Sequence, residues 1–206
     1  MRKSAVLATL ALTTAALSSP AFAAPKLPKS KPLVVKDVAG DANGLGGQLG
    51  QSTPADNTAT PANVKDADIL SFSLARLDNG KKVLGLKATL TLAAPPAQAR
   101  DYRIKLSSPS CSTYFLEYEF APALGGSGEI RDNCAVATGS TATFTPVDAA
   151  VVGNSIVWTI PKGAFTGDVT LGTVMTVHGA EASVETAAIF PTLDSVVAES
   201  TYKIGQ

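Results

Sequence analysis

Alternating hydrophobic and polar positions run along most of the chain and predict β-strands. Between Leu70 and Leu74, large apolar residues alternate with serines, and the same period continues after a polar turn as far as Leu92. The pair Asn79-Gly80 separates the two runs, which predicts a tight β-hairpin. Further runs are predicted at 102–106, 113–120, 156–160, 171–177 and 202–204, with weaker signals at 135–138 and 141–145.

The spacing of these runs predicts an all-β fold. No amphipathic helical pattern of ten or more residues occurs, and no internal repeat indicates a propeller or a solenoid. About nine or ten short strands at regular spacing predict an antiparallel β-sandwich. We expect its core to contain the apolar faces of these strands, namely Leu70, Phe72, Leu86, Leu90, Ile104, Leu116, Tyr118, Trp158 and Ile160.

The first residues have the layout of a secretory signal peptide. Arg2 and Lys3 precede an apolar run from Ala5 to Leu17, which is shorter than the ~20 residues of a membrane span. The same length disfavours the alternative, an N-terminal anchor helix. We therefore expect a secreted, extracellular protein. The predicted organisation is a signal peptide at 1–23, a flexible leader at 24–32, and one domain at 33–206 with a long loop at 38–65.

The charge inventory excludes two classes of partner. The full chain carries 17 basic and 17 acidic residues, and losing Arg2 and Lys3 with the signal peptide leaves 15 against 17. A nearly neutral chain lacks the basic surface of a nucleic-acid binder, and no polybasic run indicates a lipid surface. We therefore expect neither nucleic acid nor a membrane as partner, and the oligomeric state stays open.

Two cysteines, Cys111 and Cys134, predict one disulfide. An even number of cysteines in an exported chain favours pairing, because the compartment is oxidising. Closing the loop between them stabilises a fold by about 3 kcal/mol in the chain-entropy model. The alternatives, a metal site or a catalytic thiol, lack a C-x-x-C motif and have only one histidine available.

An acidic, glycine-rich stretch follows the first apolar run and predicts a cation site. Asp37, Asp41 and Asn43 carry the oxygen ligands that Ca²⁺ prefers, and Asp68 joins them if the loop returns beside the first long strand. The spacing is not that of an EF-hand, because Gly50 stands where the last glutamate ligand is required. Two alternatives stay open: the residues are ordinary turn formers, or the loop is a disordered linker.

Four short segments carry a family resemblance. Asp37–Asp41, Ala67–Ile69, Trp158–Pro161 and Thr201–Ile204 resemble segments of secreted domains in the group that contains DOMON domains and family-9 carbohydrate-binding modules. The resemblance implies a jelly-roll-like sandwich that binds a ligand, often with a structural calcium, and has no chemistry of its own.

The chain departs from this group in two ways. Heme-binding members use axial Met and His ligands, but Met175 and His178 stand three apart on one predicted strand and so point to opposite faces. Glycan-binding members use exposed aromatic platforms, whereas Trp158 stands on the apolar side of its strand. Phe115 is the better candidate for contact with a ligand. The alternative, that a second sheet or a loop covers its ring, stays open.

No catalytic constellation is apparent, so we expect no enzyme. His178 is the only histidine, and no G-x-S-x-G elbow surrounds a serine. Glu117 and Glu119 share a strand face at the roughly 6–7 Å spacing compatible with a glycosidase pair. Carboxylates on an exposed edge strand, however, usually prevent aggregation.

We therefore expect a secreted, non-catalytic module that binds a glycan or a cell-surface polymer, with a structural calcium. A structural or protein-binding exported protein is one alternative. A small extracellular hydrolase with an unrecognised site is the other.

Overall fold

The computed structural model describes residues 27–40, 42, 64–134, 139–165, 169–184 and 192–206, and these contain ten strands and no helix. No helix long and apolar enough to cross a membrane occurs among them. The strands are β1 (Leu33–Lys36), β2 (Ile69–Asp78), β3 (Val83–Leu92), β4 (Arg100–Ser108), β5 (Cys111–Ala121), β6 (Gly125–Asp132), β7 (Thr143–Val152), β8 (Ser155–Pro161), β9 (Val174–Ser183) and β10 (Thr192–Lys203).

All ten strands pair antiparallel in one sheet, in the order β1-β2-β3-β8-β7-β6-β5-β4-β9-β10. The strand β7 joins the two halves of the sheet, β1-β2-β3-β8 and β6-β5-β4-β9-β10. Its first part, Thr143–Val147, pairs with β6, and its second part, Asp148–Val152, pairs with β8. Pro146 lies in the part that pairs only with β6, so its missing N–H removes no bond to β8. The sheet folds on itself around one core, so the all-β antiparallel fold is confirmed.

The sheet is nearly closed where its two ends approach each other. The strand β10 contacts β1 and β2 across the gap. There the carboxylate of Asp194 in β10 accepts a hydrogen bond from the backbone N–H of Ile69 in β2 at 2.6 Å. A side chain therefore bridges the two ends where the described strands form no ladder.

The core contains the apolar faces that the alternation predicts, with one exception. Phe72, Leu86, Leu90, Ile104, Leu116, Tyr118, Trp158 and Ile160 are all buried, which confirms their predicted positions. Trp158 is a core residue, fully buried, and its indole N–H donates to the backbone carbonyl of Glu117 at 3.0 Å.

Leu70 is the exception, and it is only partly buried. The pairing of β2 with β3 shifts between Ile69 and Ser71, so Leu70 is the extra residue of a β-bulge. Ile69 is fully buried at this end of the strand in its place. The prediction for Leu70 was therefore wrong.

Several predicted strand boundaries also differ from the structure. The hairpin at Asn79-Gly80 is confirmed: Asn79 accepts hydrogen bonds from the N–H groups of Lys81 and Lys82, and Gly80 has a φ of 79°. The strands β7 and β10 extend well beyond the predicted runs at 141–145 and 202–204. Register shifts within β9 and β10 interrupt the alternation there. The weak signal at 135–138 lies outside the described residues.

The predicted disulfide between Cys111 and Cys134 is confirmed. Their Cα atoms are 4.8 Å apart, and the bond joins the start of β5 to the residues just after β6. Asp132 supports the junction, because one carboxylate oxygen accepts the N–H of Cys134 at 2.7 Å.

The described part of the predicted leader contacts the domain. The carbonyl oxygen of Pro28 accepts a hydrogen bond from the guanidinium of Arg76 at 2.5 Å. The N–H of Leu27 donates to the carbonyl of Gly80 at 3.5 Å. Residues 27–32 therefore lie near the β2–β3 turn. The predicted signal peptide at 1–23 and most of the loop at 38–65 lie outside the described residues.

Candidate functional site

A polar recess of about 170 Å³ lies on the outer face of β4 to β7. The outer face is defined by alternation: Tyr102 and Leu116 point into the core, so their odd-numbered neighbours point outward. We call this cavity the outer recess. Its lining consists mainly of charged side chains: Asp101, Arg103, Glu117, Glu119, Ser127, Glu129, Arg131 and Phe144.

Arg103 is the cation that holds the carboxylates of this face together. The strand register places it opposite Glu117 in β5 and opposite Glu181 in β9. Its guanidinium nitrogens lie 2.5 Å from Glu117, 3.2 Å from Asp101 and 3.5 Å from Glu181. The Arg103 side chain is 11% exposed, and its three acidic partners are 5–10% exposed.

Burial and ion pairing act in opposite directions on Arg103. Burial is the largest single effect and lowers the pKa of its guanidinium, but the attraction of Glu117 and then of Asp101 outweighs it. The pKa of Arg103 is therefore raised, and the side chain stays positively charged at every pH at which the protein is folded. Buried ionic clusters of this kind are expensive to assemble, which makes the face a functional candidate.

The opposite wall of the outer recess carries Glu129, Arg131 and Phe144. Burial raises the pKa of the Glu129 carboxyl, and the negative charges of Glu117 and Glu119 raise it further. The guanidinium of Arg131 lies over the Phe144 ring, 5.6 Å from its centroid. Phe144 is 52% exposed, so one apolar ring stands beside charged groups that form hydrogen bonds.

The edge-strand interpretation of Glu117 and Glu119 is wrong. The strand β5 lies between β4 and β6, and Glu117 is 7% exposed, so these carboxylates do not protect a free edge. Phe115 lies on the same outer face, partly buried, and is paired with Lys105 in β4 and Arg131 in β6. It stands in the same cross-strand row as Arg131 and Phe144, at the rim of the outer recess.

The start of the acidic loop returns to the beginning of β2. The N–H of Gly40 donates to one carboxylate oxygen of Asp68 at 2.9 Å, and the N–H of Asp37 donates to the carbonyl of Leu70 at 2.9 Å. Asp68 is 1% exposed, and its second carboxylate oxygen is buried without a hydrogen-bond partner. Asp41 and Asn43, the other two predicted ligands, lie outside the described residues.

A buried carboxylate oxygen without a protein partner is the kind of group that a cation satisfies. The neighbouring Asp66 has a different task, since its carboxylate accepts the N–H of Gln98 at 3.1 Å and pairs with Arg100. Of the carboxylates near the start of β2, Asp68 therefore fits an ion and Asp66 organises a turn.

Cys111, Asp132 and Cys134 are the one group of three metal-ligand residues that lies together among the described residues. The two sulfurs are joined in the disulfide, so neither is a thiolate. The group therefore serves the covalent link and is not a metal site while the disulfide is intact.

His178 has two partners that the sequence did not reveal. Its Nε2 lies 2.8 Å from the hydroxyl oxygen of Ser107 in β4, and its Nδ1 lies 3.2 Å from a carboxylate oxygen of Glu199 in β10. Met175 points into the core, whereas the His178 side chain is 27% exposed on the outer face. Ser107 lies 71 positions before His178 in the chain, and Glu199 lies 21 positions after it. Only the strand register could have shown that the three side chains come together.

The chain matches no protein-family model, no curated protein and no solved structure. Its function is therefore inferred from three places: the outer recess, the buried carboxylate of Asp68, and the cluster around His178.

Proposed function

We propose that this chain is a secreted binding module whose ligand, a glycan or a cell-surface polymer, occupies the outer recess. The observation that carries the proposal is a preformed concavity in which paired charges surround one half-exposed aromatic ring. Ligand sites combine an apolar surface with a few fixed polar groups that set orientation. A recess smaller than the roughly 300–1,000 Å³ of typical small-molecule pockets suits one small polar unit of a longer chain.

The charges of the outer recess select among glycans. Its lining has four carboxylates (Asp101, Glu117, Glu119 and Glu129) and two guanidiniums (Arg103 and Arg131). The excess of negative charge repels anionic polymers and attracts amines. Neutral or amino-containing glycans should therefore bind better than uronic-acid or sulfated ones. Phe115 continues the cross-strand row of Phe144 and Arg131 beyond the recess lining, where the next unit of a polymer would lie.

A glycan array followed by titration calorimetry tests this proposal. We expect Phe144→Ala and Glu129→Gln each to weaken binding at least about tenfold, because each removes a group that lines the outer recess. Val152→Ala is the matched control, since Val152 is exposed on the same strand at its far end. Binding that is absent for all glycans, or equal in the two variants and the control, would reject the outer recess and favour a structural or protein-binding role.

We also propose a structural calcium ion beside Asp68. The buried, unpartnered oxygen of Asp68 supports this proposal, and Asp37 reaches the same end of β2. Asp41 and Asn43 complete the ligand set that the sequence indicates. Bound there, calcium would supply positive charge that offsets the cost of burying the carboxylate and would fix the loop against the strand.

Thermal unfolding with calcium or EDTA tests the ion. Extracellular modules bind calcium with dissociation constants of about 10⁻⁴–10⁻³ M, so about ten times that concentration stabilises the fold by roughly 1.4 kcal/mol. For a domain of this size we expect the melting temperature to rise by roughly 3–6 °C. Asp68→Asn should abolish the rise, whereas Asp148→Asn, an exposed carboxylate in β7, should retain it. Equal melting temperatures of the unmodified protein in calcium and in EDTA would refute the site.

A further inference from the structure

We infer that Ser107, His178 and Glu199 form a nucleophilic relay that hydrolyses short-chain carboxylic esters. Nucleophilic hydrolysis needs a hydroxyl within hydrogen-bond reach of a base, and a third group that orients the base. Here the Ser107 hydroxyl lies 2.8 Å from Nε2 of His178, and Glu199 lies 3.2 Å from its Nδ1. One tautomer satisfies both contacts, with Nδ1–H donating to Glu199 and Nε2 accepting from Ser107.

A β-bulge places His178 in this position. In the pairing of β4 with β9, Lys105 stands opposite Gly179 and Leu106 stands opposite Val177. His178 is therefore the extra residue, left outside the ladder. Bulges of this kind re-aim side chains and are concentrated beside active sites. The alternation from Val177 keeps His178 on the outer face with Ser107, and the bulge leaves it outside the ladder beside that serine.

Two further features of the backbone serve the same cluster. The pairing of β9 with β10 shifts between Val197 and Ser200, in the stretch that contains Glu199. Gly179, directly after the histidine, has a φ of 143°, which other residues rarely adopt. Irregular backbone costs stability and persists where the surrounding structure imposes it, often at functional sites. The backbone beside His178 is therefore irregular in both β9 and β10.

The reaction that the cluster supports is acyl transfer to water. The Ser107 oxygen attacks the ester carbonyl carbon while its proton passes to Nε2 of His178. The tetrahedral intermediate collapses, the carbon–oxygen bond to the alcohol breaks, and the alcohol oxygen takes the proton from the imidazolium. A water molecule then repeats the sequence on the acyl-serine, releasing the carboxylic acid and restoring the Ser107 hydroxyl.

The surroundings of Ser107 favour polar esters with small acyl groups. Thr176 stands opposite it in β9, and Ser108 and Ser110 follow on its other side, where their hydroxyls are 3.2 Å apart. Lys105 lies two positions earlier in β4 on the same face, so its flexible ammonium can approach the oxygen that becomes negative during attack. Acetyl esters of hydroxylated compounds fit this environment best.

Covalent labelling of the purified protein tests the nucleophile directly. A fluorophosphonate probe, followed by peptide mass spectrometry, should label Ser107 much faster than Ser127, an exposed serine in the outer recess. This comparison is made within one intact molecule and needs no variant. Labelling of the two serines at equal rates would overturn the proposal.

Hydrolysis of p-nitrophenyl acetate distinguishes serine catalysis from a reaction of the imidazole alone. Because a positioned base contributes on the order of 10²–10⁴-fold, His178→Gln should lower the rate by at least about 100-fold. Ser107→Ala should lower it comparably, with melting temperatures close to that of the unmodified protein. A rate that persists in Ser107→Ala would show that the histidine acts alone and would overturn the relay.

Glu199 is a positioning residue, and its effect should be small because its side chain is 67% exposed. Glu199→Gln should lower the labelling rate of Ser107 a few-fold, and Glu199→Asp should restore part of it. In the NMR spectrum, the signal of the imidazole proton on Nδ1 should broaden or shift in Glu199→Gln but not in Glu199→Asp. An unchanged Nδ1 signal together with an unchanged rate would remove Glu199 from the relay.

Discussion

Replacing Arg103 with methionine removes the cation that three buried carboxylates share. Methionine matches the length of the arginine stem but carries no charge, so Asp101, Glu117 and Glu181 lose a common partner at 2.5–3.5 Å. All four side chains are about nine-tenths buried, so water offers them little compensation. We therefore expect the variant to be strongly destabilised at neutral pH.

The magnitude follows from the burial of the cluster. Removing one partner of a buried ion pair costs about 3–5 kcal/mol, because the opposite charge stays behind. That is a large fraction of the ~5–15 kcal/mol of a typical domain. At roughly 2–4 °C per kcal/mol for a chain of this size, the melting temperature should fall by about 6–20 °C.

Urea unfolding and calorimetry measure the loss, and two further variants test its cause. Arg131→Met is the matched control, since its cation–π contact is worth only about 0.5–1 kcal/mol. Adding Glu117→Gln to Arg103→Met removes one of the three negative charges and should recover part of the stability. A loss below about 1 kcal/mol, or no rescue by Glu117→Gln, would show that the cluster is not electrostatically coupled.

Three further outcomes follow from the fold. Reduction of Cys111–Cys134 should lower the free energy of unfolding by about 3 kcal/mol, measured by urea unfolding with and without dithiothreitol. An unchanged free energy would mean that the disulfide does not restrict the unfolded chain. Gly85→Ala should prevent normal pairing of β3 with β8, because a Cβ there would lie 2.0 Å from the Ile160 carbonyl oxygen; an ordinary melting temperature would contradict this. Burial raises the pKa of Tyr202 to about 12, so stability should fall as the pH rises from about 10, where an unfolded tyrosine ionises, to about 12; absorbance at 295 nm that titrates near pH 10 for every tyrosine would exclude it.

Regular alternation was sufficient to predict the core. Leu90, Leu116 and Trp158 stand in runs whose period of two is unbroken around them, and all three are buried as predicted. Bulges are not visible in such a pattern, since one extra residue shifts the period without changing the composition. Leu70, the extra residue of one bulge, is only partly buried for this reason. The contact of His178 with Ser107 depends on which strands pair, which the period does not show.

The outer recess could not be predicted, because it depends on the register of four strands. The sequence shows Glu117 and Glu119 on one face, but it does not show that Arg103 stands opposite the first of them. Nor does it show that Glu129 lies on the other side of Glu117, which changes an apparent edge into an enclosed cluster. Cross-strand neighbours are set by turn lengths and bulges, and these leave only weak traces in a single sequence.

The hydrogen bond between Asp194 and Ile69 affects how the domain opens locally and how it associates with other chains. The ends of the sheet meet through a side chain, so this seam can separate while every described ladder keeps its backbone pairing. Amide hydrogen exchange at Ile69 should therefore report seam opening at a lower free energy than global unfolding. The terminal strand β1 has only four residues, which gives another chain little template for β-addition. The gap between the two ends of the sheet can therefore open locally, and the short β1 strand still limits edge-to-edge aggregation.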